Sequence, residues 1–211
     1  MRTQTMKTLA DAALAGDAQG ARALLDAGAG VHEQDDLALC NAANQGHVEV
    51  LKLLIERGAD VHAAHDDPIR EAAAFGHIEC VKSLLDRGVT IRANDDVALL
   101  AAVAGNQVEM VQFLLKNGAG VHARGDEAVR TAVKRGYTAM VEILIQHGAD
   151  WHAQGDEALI RAACNGFTEI VRLLLEAGEP CRISREQAWR EAVSNGHTDV
   201  AQVLIDSNAS R

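Results

Sequence analysis

The feature of this sequence that most constrains its fold is a period of 30 residues that runs through nearly the whole chain. A glycine column with this spacing comprises Gly28, Gly58, Gly88, Gly118, Gly148 and Gly178. A leucine column runs from Leu24 to Leu204 and an alanine column from Ala12 to Ala192, both in the same register. Three columns without an insertion or deletion do not arise by chance. A period of about 20 to 50 residues is typical of proteins built from stacked structural repeats.

One repeat, residues 66–95, predicts two short helices followed by a connector. Asp66 precedes the first helix, where a carboxylate oxygen can accept hydrogen bonds from the free amides of the first turn. Gly76 ends this helix and Gly88 ends the second, because both positions favour a left-handed backbone. The remaining residues predict a short extended connector that leads to the next aspartate. Aspartates at the equivalent positions of other repeats, expected to be caps as well, are Asp36, Asp96, Asp126 and Asp156.

Seven such units account for the chain, and a pair of short helices buries its apolar face only by stacking on its neighbours. Aromatic residues are 3% of the sequence, so the core must consist of alanine, leucine, valine and isoleucine. The first and last units depart from the pattern and are expected to be caps of one continuous domain, residues 1–211. The unit boundaries are approximately 6–35, 36–65, 66–95, 96–125, 126–155, 156–185 and 186–211.

Two segments carry a resemblance to a known family. The segment GHVEVLKLLIERGADVHA, residues 46–63, resembles the second half of an ankyrin repeat, and DPIREAAAFGH, residues 67–77, resembles its opening. The resemblance implies an all-α ankyrin-repeat solenoid of seven stacked helix-turn-helix units. The unit is about three residues shorter than the usual ankyrin repeat of about 33, and the loss lies in the connecting loop. The chain thus looks like the shortened variant common in large DNA viruses and some bacteria.

The bulk composition excludes several classes of protein. A net charge of −10 argues against a nonspecific nucleic-acid binder. No apolar run approaches the roughly 20 residues of a membrane-spanning helix, and the N-terminus lacks the apolar centre of a signal peptide. Four cysteines without paired spacing predict reduced thiols, and we expect a cytoplasmic protein without a membrane partner.

Neither a metal site nor an active site is predicted. A histidine column invites a metal hypothesis, but repeats stacked about 10 Å apart cannot bring ligands within about 2 Å of one ion. Those histidines are instead expected to hydrogen-bond between neighbouring connectors; they are His32, His62, His122 and His152. The sequence contains no nucleophile elbow, phosphate loop or HExxH motif. We therefore expect no enzyme, no cofactor and no catalytic residue.

The columns that vary between repeats are the candidates for partner contacts, which the ankyrin resemblance places on a concave face. Phe75 is an aromatic residue in a column otherwise held by glutamine, glycine, arginine and asparagine, which is typical of a binding anchor. The fifth unit carries four basic residues in contact columns, suited to an acidic partner segment. They are Arg124, Lys134, Arg135 and His147, and Arg57 and Arg87 are expected to extend this patch.

The sequence therefore predicts a monomeric, non-enzymatic module that binds a protein partner, one with an acidic segment. Two alternatives stay open. One is a stable repeat scaffold without a specific partner. The other is a thiol-dependent protein that modifies a small molecule or a peptide with Cys164 and nearby histidines.

Overall fold

The structure is a computed structural model, and it describes residues 8–209; the outermost residues of the first and last predicted units, 6–7 and 210–211, lie outside the described residues. Residues 8–209 form fourteen α-helices and no strand, which confirms the all-α prediction. The helices are α1 (Leu9–Ala15), α2 (Ala18–Asp26), α3 (Leu37–Gln45), α4 (Val48–Glu56), α5 (Ala63–Ala74), α6 (Ile78–Leu85), α7 (Ala93–Ala104), α8 (Val108–Lys116), α9 (Ala123–Arg135), α10 (Thr138–Gln146), α11 (Ala153–Cys164), α12 (Thr168–Ala177), α13 (Arg182–Ser194) and α14 (Thr198–Ala209).

The chain divides into two compact units, one up to Ala119 with α1–α8 and one from Gly120 onward with α9–α14. Within each unit, every odd-numbered helix is a first helix and packs on the first helix of the next repeat, as α3 does on α5 and α11 on α13. The second helices stack in the same way, for example α2 on α4 and α10 on α12. A turn of two or three residues joins the two helices of a repeat and makes them antiparallel.

The core follows the apolar columns of the repeat. Leu39 and Leu54 in α3 and α4 are fully buried, and so are their counterparts in the next repeat, Ile69 and Leu84. The alanine column is also inaccessible to solvent, which lets neighbouring helices approach closely. None of the helices described for residues 8–209 is long and apolar enough to cross a membrane.

The turn between paired helices depends on a left-handed residue. Gly46 has φ +74°, and its amide and that of His47 donate to carbonyls in the last turn of α3. Asn106 replaces glycine in this column and has φ +55°, as expected of the residue that tolerates this conformation best after glycine. A β-carbon at Gly46 would also lie 2.5 Å from Nδ1 of His77, so the histidine ring of the next repeat requires glycine there.

The connectors differ from the prediction, which was wrong in two respects. They are not extended, because three consecutive residues adopt left-handed backbone angles before each internal first helix; Arg124, Gly125 and Asp126, for example, have φ of 49°, 65° and 58°. Asp36 is also left-handed and makes no capping bond with its side chain. The free amides of the first turn are thus not what the aspartate column serves.

The buried aspartates instead link successive connectors. The carboxylate of Asp36 accepts from the amide of Asp60 at 3.1 Å, and that of Asp126 accepts from the amide of Asp150 at 2.7 Å. Within its own connector each carboxylate also accepts from a side chain four residues earlier, such as Nδ1 of His122 on Asp126 at 2.9 Å. Arg92 replaces histidine in this role. The histidine column therefore bonds within a connector, and the aspartate makes the bond between connectors that was predicted for histidine.

Candidate functional site

Phe75 lies at the C-terminal end of α5 with 53% of its surface exposed. Its ring stacks on that of His77 with the ring centroids 6.4 Å apart. The His77 ring is fixed in turn, because its Nε2 lies 2.9 Å from the carbonyl oxygen of Asn44 in the preceding repeat. The aromatic ring is thus exposed but held in place, which lowers the entropy lost when a partner covers it.

The neighbouring helix α7 comes very close to the end of α5. A β-carbon at Gly105 would lie 2.0 Å from the carbonyl oxygen of Ala74, so only glycine permits this approach. Four residues with helical spacing on the exposed side of α7 are apolar and half-buried; they are Val97, Leu100, Ala101 and Ala104. The sequence analysis missed this strip, although apolar residues at i, i+3, i+4 and i+7 outside the core columns would have indicated it.

On α5 the positions equivalent to this strip are charged and already paired. Arg70 contacts Asp67 at 2.6 Å and Glu71 at 2.6 Å, and Glu71 also accepts from the side-chain amide of Asn44 at 2.6 Å. These charges neutralise one another locally. The apolar strip of α7 is therefore bordered on one side by a polar network and, at its C-terminal end, by Phe75.

The arginines expected to extend the basic patch lie elsewhere in the repeat. Arg57 follows α4, and its guanidinium forms an ion pair with Asp26 at 2.8 Å. Arg87 is exposed in the turn after α6. Because α6 runs antiparallel to α5, its C-terminal end lies roughly 12 Å along the helix axis from the end that carries Phe75. The structure does not bring these arginines to the Phe75 ring.

The four basic residues of the second unit fall into two groups. Lys134 and Arg135 are exposed at the C-terminal end of α9, whereas Arg124 precedes the regular part of that helix. About eight residues of helix, or roughly 12 Å, separate the two ends. His147 follows α10, which runs antiparallel to α9, and so lies at the same end as Arg124.

A fifth basic residue was missed by the sequence analysis. The guanidinium of Arg130 lies between these two groups on α9, and it donates to the carbonyl oxygens of Arg124 and Gly125 at 3.3 Å. The pKa of the Glu157 carboxyl is lowered, first by a hydrogen bond from Arg161 and also by the charges of Arg130 and Lys134. Lys134 thus acts electrostatically on a carboxylate of α11, while Arg135 has no such influence recorded on its charge.

The cysteine alternative finds little support in the geometry. The nearest printed contact of the Cys164 thiol is the side-chain amide of Asn195 at 3.8 Å, and the Nε2 of His197 bonds to the carbonyl oxygen of Cys164 at 3.0 Å rather than to its sulfur. Burial raises the pKa of Cys40 and of Cys80 to about 11, with further increases from nearby carboxylates. Within residues 8–209 no cluster of three or more histidine, cysteine or carboxylate side chains could hold a metal ion.

Comparison with known proteins agrees with this architecture. The family model of ankyrin repeats, in three copies, matches residues 9–95, 69–154, 98–186 and 131–210. A search among curated proteins finds no match. The crystal structure of the human ASB11 ankyrin repeat domain superposes with a TM-score of 0.77 at 22% sequence identity, over 94% of this chain and 96% of that one. Helix pairs, repeat register and family match together show that the chain belongs to the ankyrin-repeat family and has its all-α solenoid fold.

Proposed function

We propose that this protein binds another protein, without catalysis, through the face formed by its first helices, which is the concave face in ankyrin stacks. Ankyrin repeats are in general modules for protein–protein interaction. The observation that carries the finer proposal is the Phe75 ring, half-exposed and fixed beside the apolar strip of α7. An exposed aromatic ring on a rigid support is typical of the few residues that dominate the binding energy of an interface.

The chemistry of this surface suits a partner segment with both apolar and acidic residues. An apolar side chain would cover Phe75 and the strip of α7. A carboxylate of the same partner would meet Lys134 and Arg135, which are exposed on the second unit. Arg124 and His147 lie at the other end of α9 and are proposed as a separate contact. Arg57, already bound to Asp26, and Arg87 are assigned weaker, peripheral contacts.

The same proposal covers location and the classes of partner that are not expected. A chain with a net charge of −10 repels the phosphate backbone of nucleic acids and the anionic surface of membranes. Four cysteines without a disulfide fit a reducing compartment, so we place the protein in the cytoplasm.

The first experiment tests the anchor. Wild type and Phe75→Ala are used as baits in a cytosolic lysate, and the dissociation constant of each retained partner is then measured by calorimetry. Loss of the ring should weaken binding by about 2 kcal/mol or more. Leu14→Ala is the matched control, because Leu14 is 51% exposed near the end of the first helix of another repeat. Equal binding by all three proteins would remove Phe75 from the site.

The second experiment tests the charges on the same partner. Lys134→Glu combined with Arg135→Glu should slow association and make its rate less sensitive to salt, because exposed charges act mainly on the encounter rate. Lys52→Glu combined with Lys116→Glu changes the net charge equally on the second helices and should leave the salt dependence near that of wild type. An unchanged salt dependence in the first double variant would defeat the acidic-partner proposal.

The two alternative functions predict other outcomes of these experiments. A scaffold without a specific partner would retain the same background proteins as the Phe75→Ala bait. A thiol-dependent enzyme would require the Cys164 thiol to react much faster than an unperturbed cysteine, and no histidine in the described residues is placed to activate it.

A further inference from the structure

The last repeat, α13 and α14, exposes an unusual amount of apolar surface. Within residues 8–207, whose exposure is described, six large apolar side chains are exposed, and four of them belong to this repeat. The four are Ile183 (77% exposed), Trp189 (38%), Val193 (50%) and Ile205 (50%). The predicted terminal unit was a polar cap, and polar outer faces are what keep the ends of repeat proteins soluble.

These side chains occupy positions that internal repeats bury completely. Trp189 stands in the column of Leu39, Ile69, Leu99, Val129 and Leu159, all of them fully inaccessible to solvent. Val193 stands in the column of Ala43, Ala73, Val103, Val133 and Ala163, which are equally buried. Within the second unit, Leu159 belongs to α11, on which α13 packs. The exposed face of α13 is therefore the face with which an internal repeat receives the next one.

The face is shaped as well as apolar. An open groove of about 620 Å³ runs along it between α13 and α14, lined by Pro180, Arg182, Trp189, Leu204 and Ile205 among others. Its rim carries both signs of charge, with Arg182 and Arg190 on α13 and Asp206 on α14 exposed. A surface with both signs on its rim can meet a copy of itself without net repulsion.

We propose that the end face, defined by Ile183, Trp189, Val193 and Ile205, binds the same face of a second copy of this chain about a twofold axis. The occupant must offer apolar helix surface that fits a repeat of this type, and the end face of another copy offers it. The described part of the opposite end, α1 and α2, is less apolar, because Gly20 and Ala21 replace valine and leucine of the following repeat. A twofold arrangement covers the most apolar surface of both copies and closes at two. This proposal replaces the monomer expected from the sequence.

The mass of the full chain in solution tests the proposal. Sedimentation equilibrium over a wide concentration range should show a transition from the chain mass of 22.5 kDa to twice that value and no further. A constant monomer mass would overturn the proposal. Growth beyond two chains would also overturn it, because head-to-tail stacking does not close.

A pair of variants locates the interface. Ile183→Glu with Ile205→Glu should raise the dimer dissociation constant by at least about tenfold, because each carboxylate would be buried without a partner. Leu14→Glu with Phe75→Glu is the matched control, since these residues are 51% and 53% exposed outside the end face. Circular dichroism checks that both variants are folded. Equal weakening by both pairs would contradict an interface at the end face.

A measurement without charged variants keeps the test independent of their folding. Trp151 is buried, so Trp151→Phe leaves Trp189 as the sole tryptophan without touching the end face. Its emission should shift to shorter wavelength as the concentration rises through the dimer transition, because the half-exposed indole loses its water. An emission maximum that stays constant through the mass transition would place the contact elsewhere and overturn the proposal.

Discussion

Replacing Asp156 should show how much stability the bonds between connectors supply. The carboxylate of Asp156 is 4% exposed, and it accepts from the amide of Cys181 at 3.0 Å and from Nδ1 of His152. A bond to an ionised acceptor contributes about 1.5 kcal/mol or more, so two contribute about 3 kcal/mol. Alanine at φ +59° adds a cost of about 1 kcal/mol, and relief of carboxylate burial offsets about 1 kcal/mol. Asp156→Ala should therefore lower the free energy of unfolding by about 3 kcal/mol.

Urea unfolding followed by circular dichroism measures this loss. Asp156→Asn keeps a neutral acceptor and tolerates the left-handed backbone, so it should cost about 1 to 2 kcal/mol. Glu142→Ala, which removes an exposed carboxylate from α10, should stay within about 0.5 kcal/mol of wild type. A loss below about 1 kcal/mol for Asp156→Ala would refute the reasoning, because the bonds to Cys181 and His152 would then contribute nothing measurable.

The same bonds set a pH dependence. Burial would raise the pKa of the Asp156 carboxyl, but the bonds from His152, the Cys181 amide and Ser184 outweigh it and hold the pKa below its ordinary value of 3.8. The stabilising contribution is therefore complete well above pH 3.8 and is lost as the pH falls through the lower pKa of the folded state. Wild type and Asp156→Asn should converge in stability in this acidic window, and a constant difference down to the lowest pH would contradict the assignment.

Three further predictions follow from single positions. Asp95→Gly should raise the free energy of unfolding by up to about 1 kcal/mol, because glycine removes the side-chain cost at φ +56°. Gly105→Ala should lower it by about 1 to 3 kcal/mol through the clash with the carbonyl of Ala74, whereas a neutral result would mean that α5 and α7 separate freely. In thiol labelling near neutral pH, the exposed Cys181 should react well before Cys80, whose burial raises its pKa to about 11; the reverse order would contradict the described burial.

The apolar period was sufficient to predict the helices and their register. Leu54 and Leu84 recur at 30 residues because each must face the neighbouring repeat, and both are fully buried. Glycine at the helix turns was equally readable, since few other residues accept the conformation.

The connectors escaped prediction for a physical reason. An aspartate before a helix predicts a cap, but Asp126 and Asp156 bond to backbone amides 24 or 25 residues away. Nothing in the local sequence distinguishes these two uses of a carboxylate. The candidate site was predictable only in part: Phe75 is exposed as expected from its column, whereas the grouping of Lys134 with Arg124 ignored the length of α9 that separates them.

The bonds between connectors have an asymmetry with a consequence for how such a chain can change. The acceptor is always the side chain of an aspartate, but the donor is a main-chain amide that any residue except proline supplies. The donors are accordingly of different types, Asp60, Asp150 and Cys181. Mutation can therefore exchange the side chains displayed along the connectors while the fastening between repeats persists, so that new specificities can arise without a search for new stability.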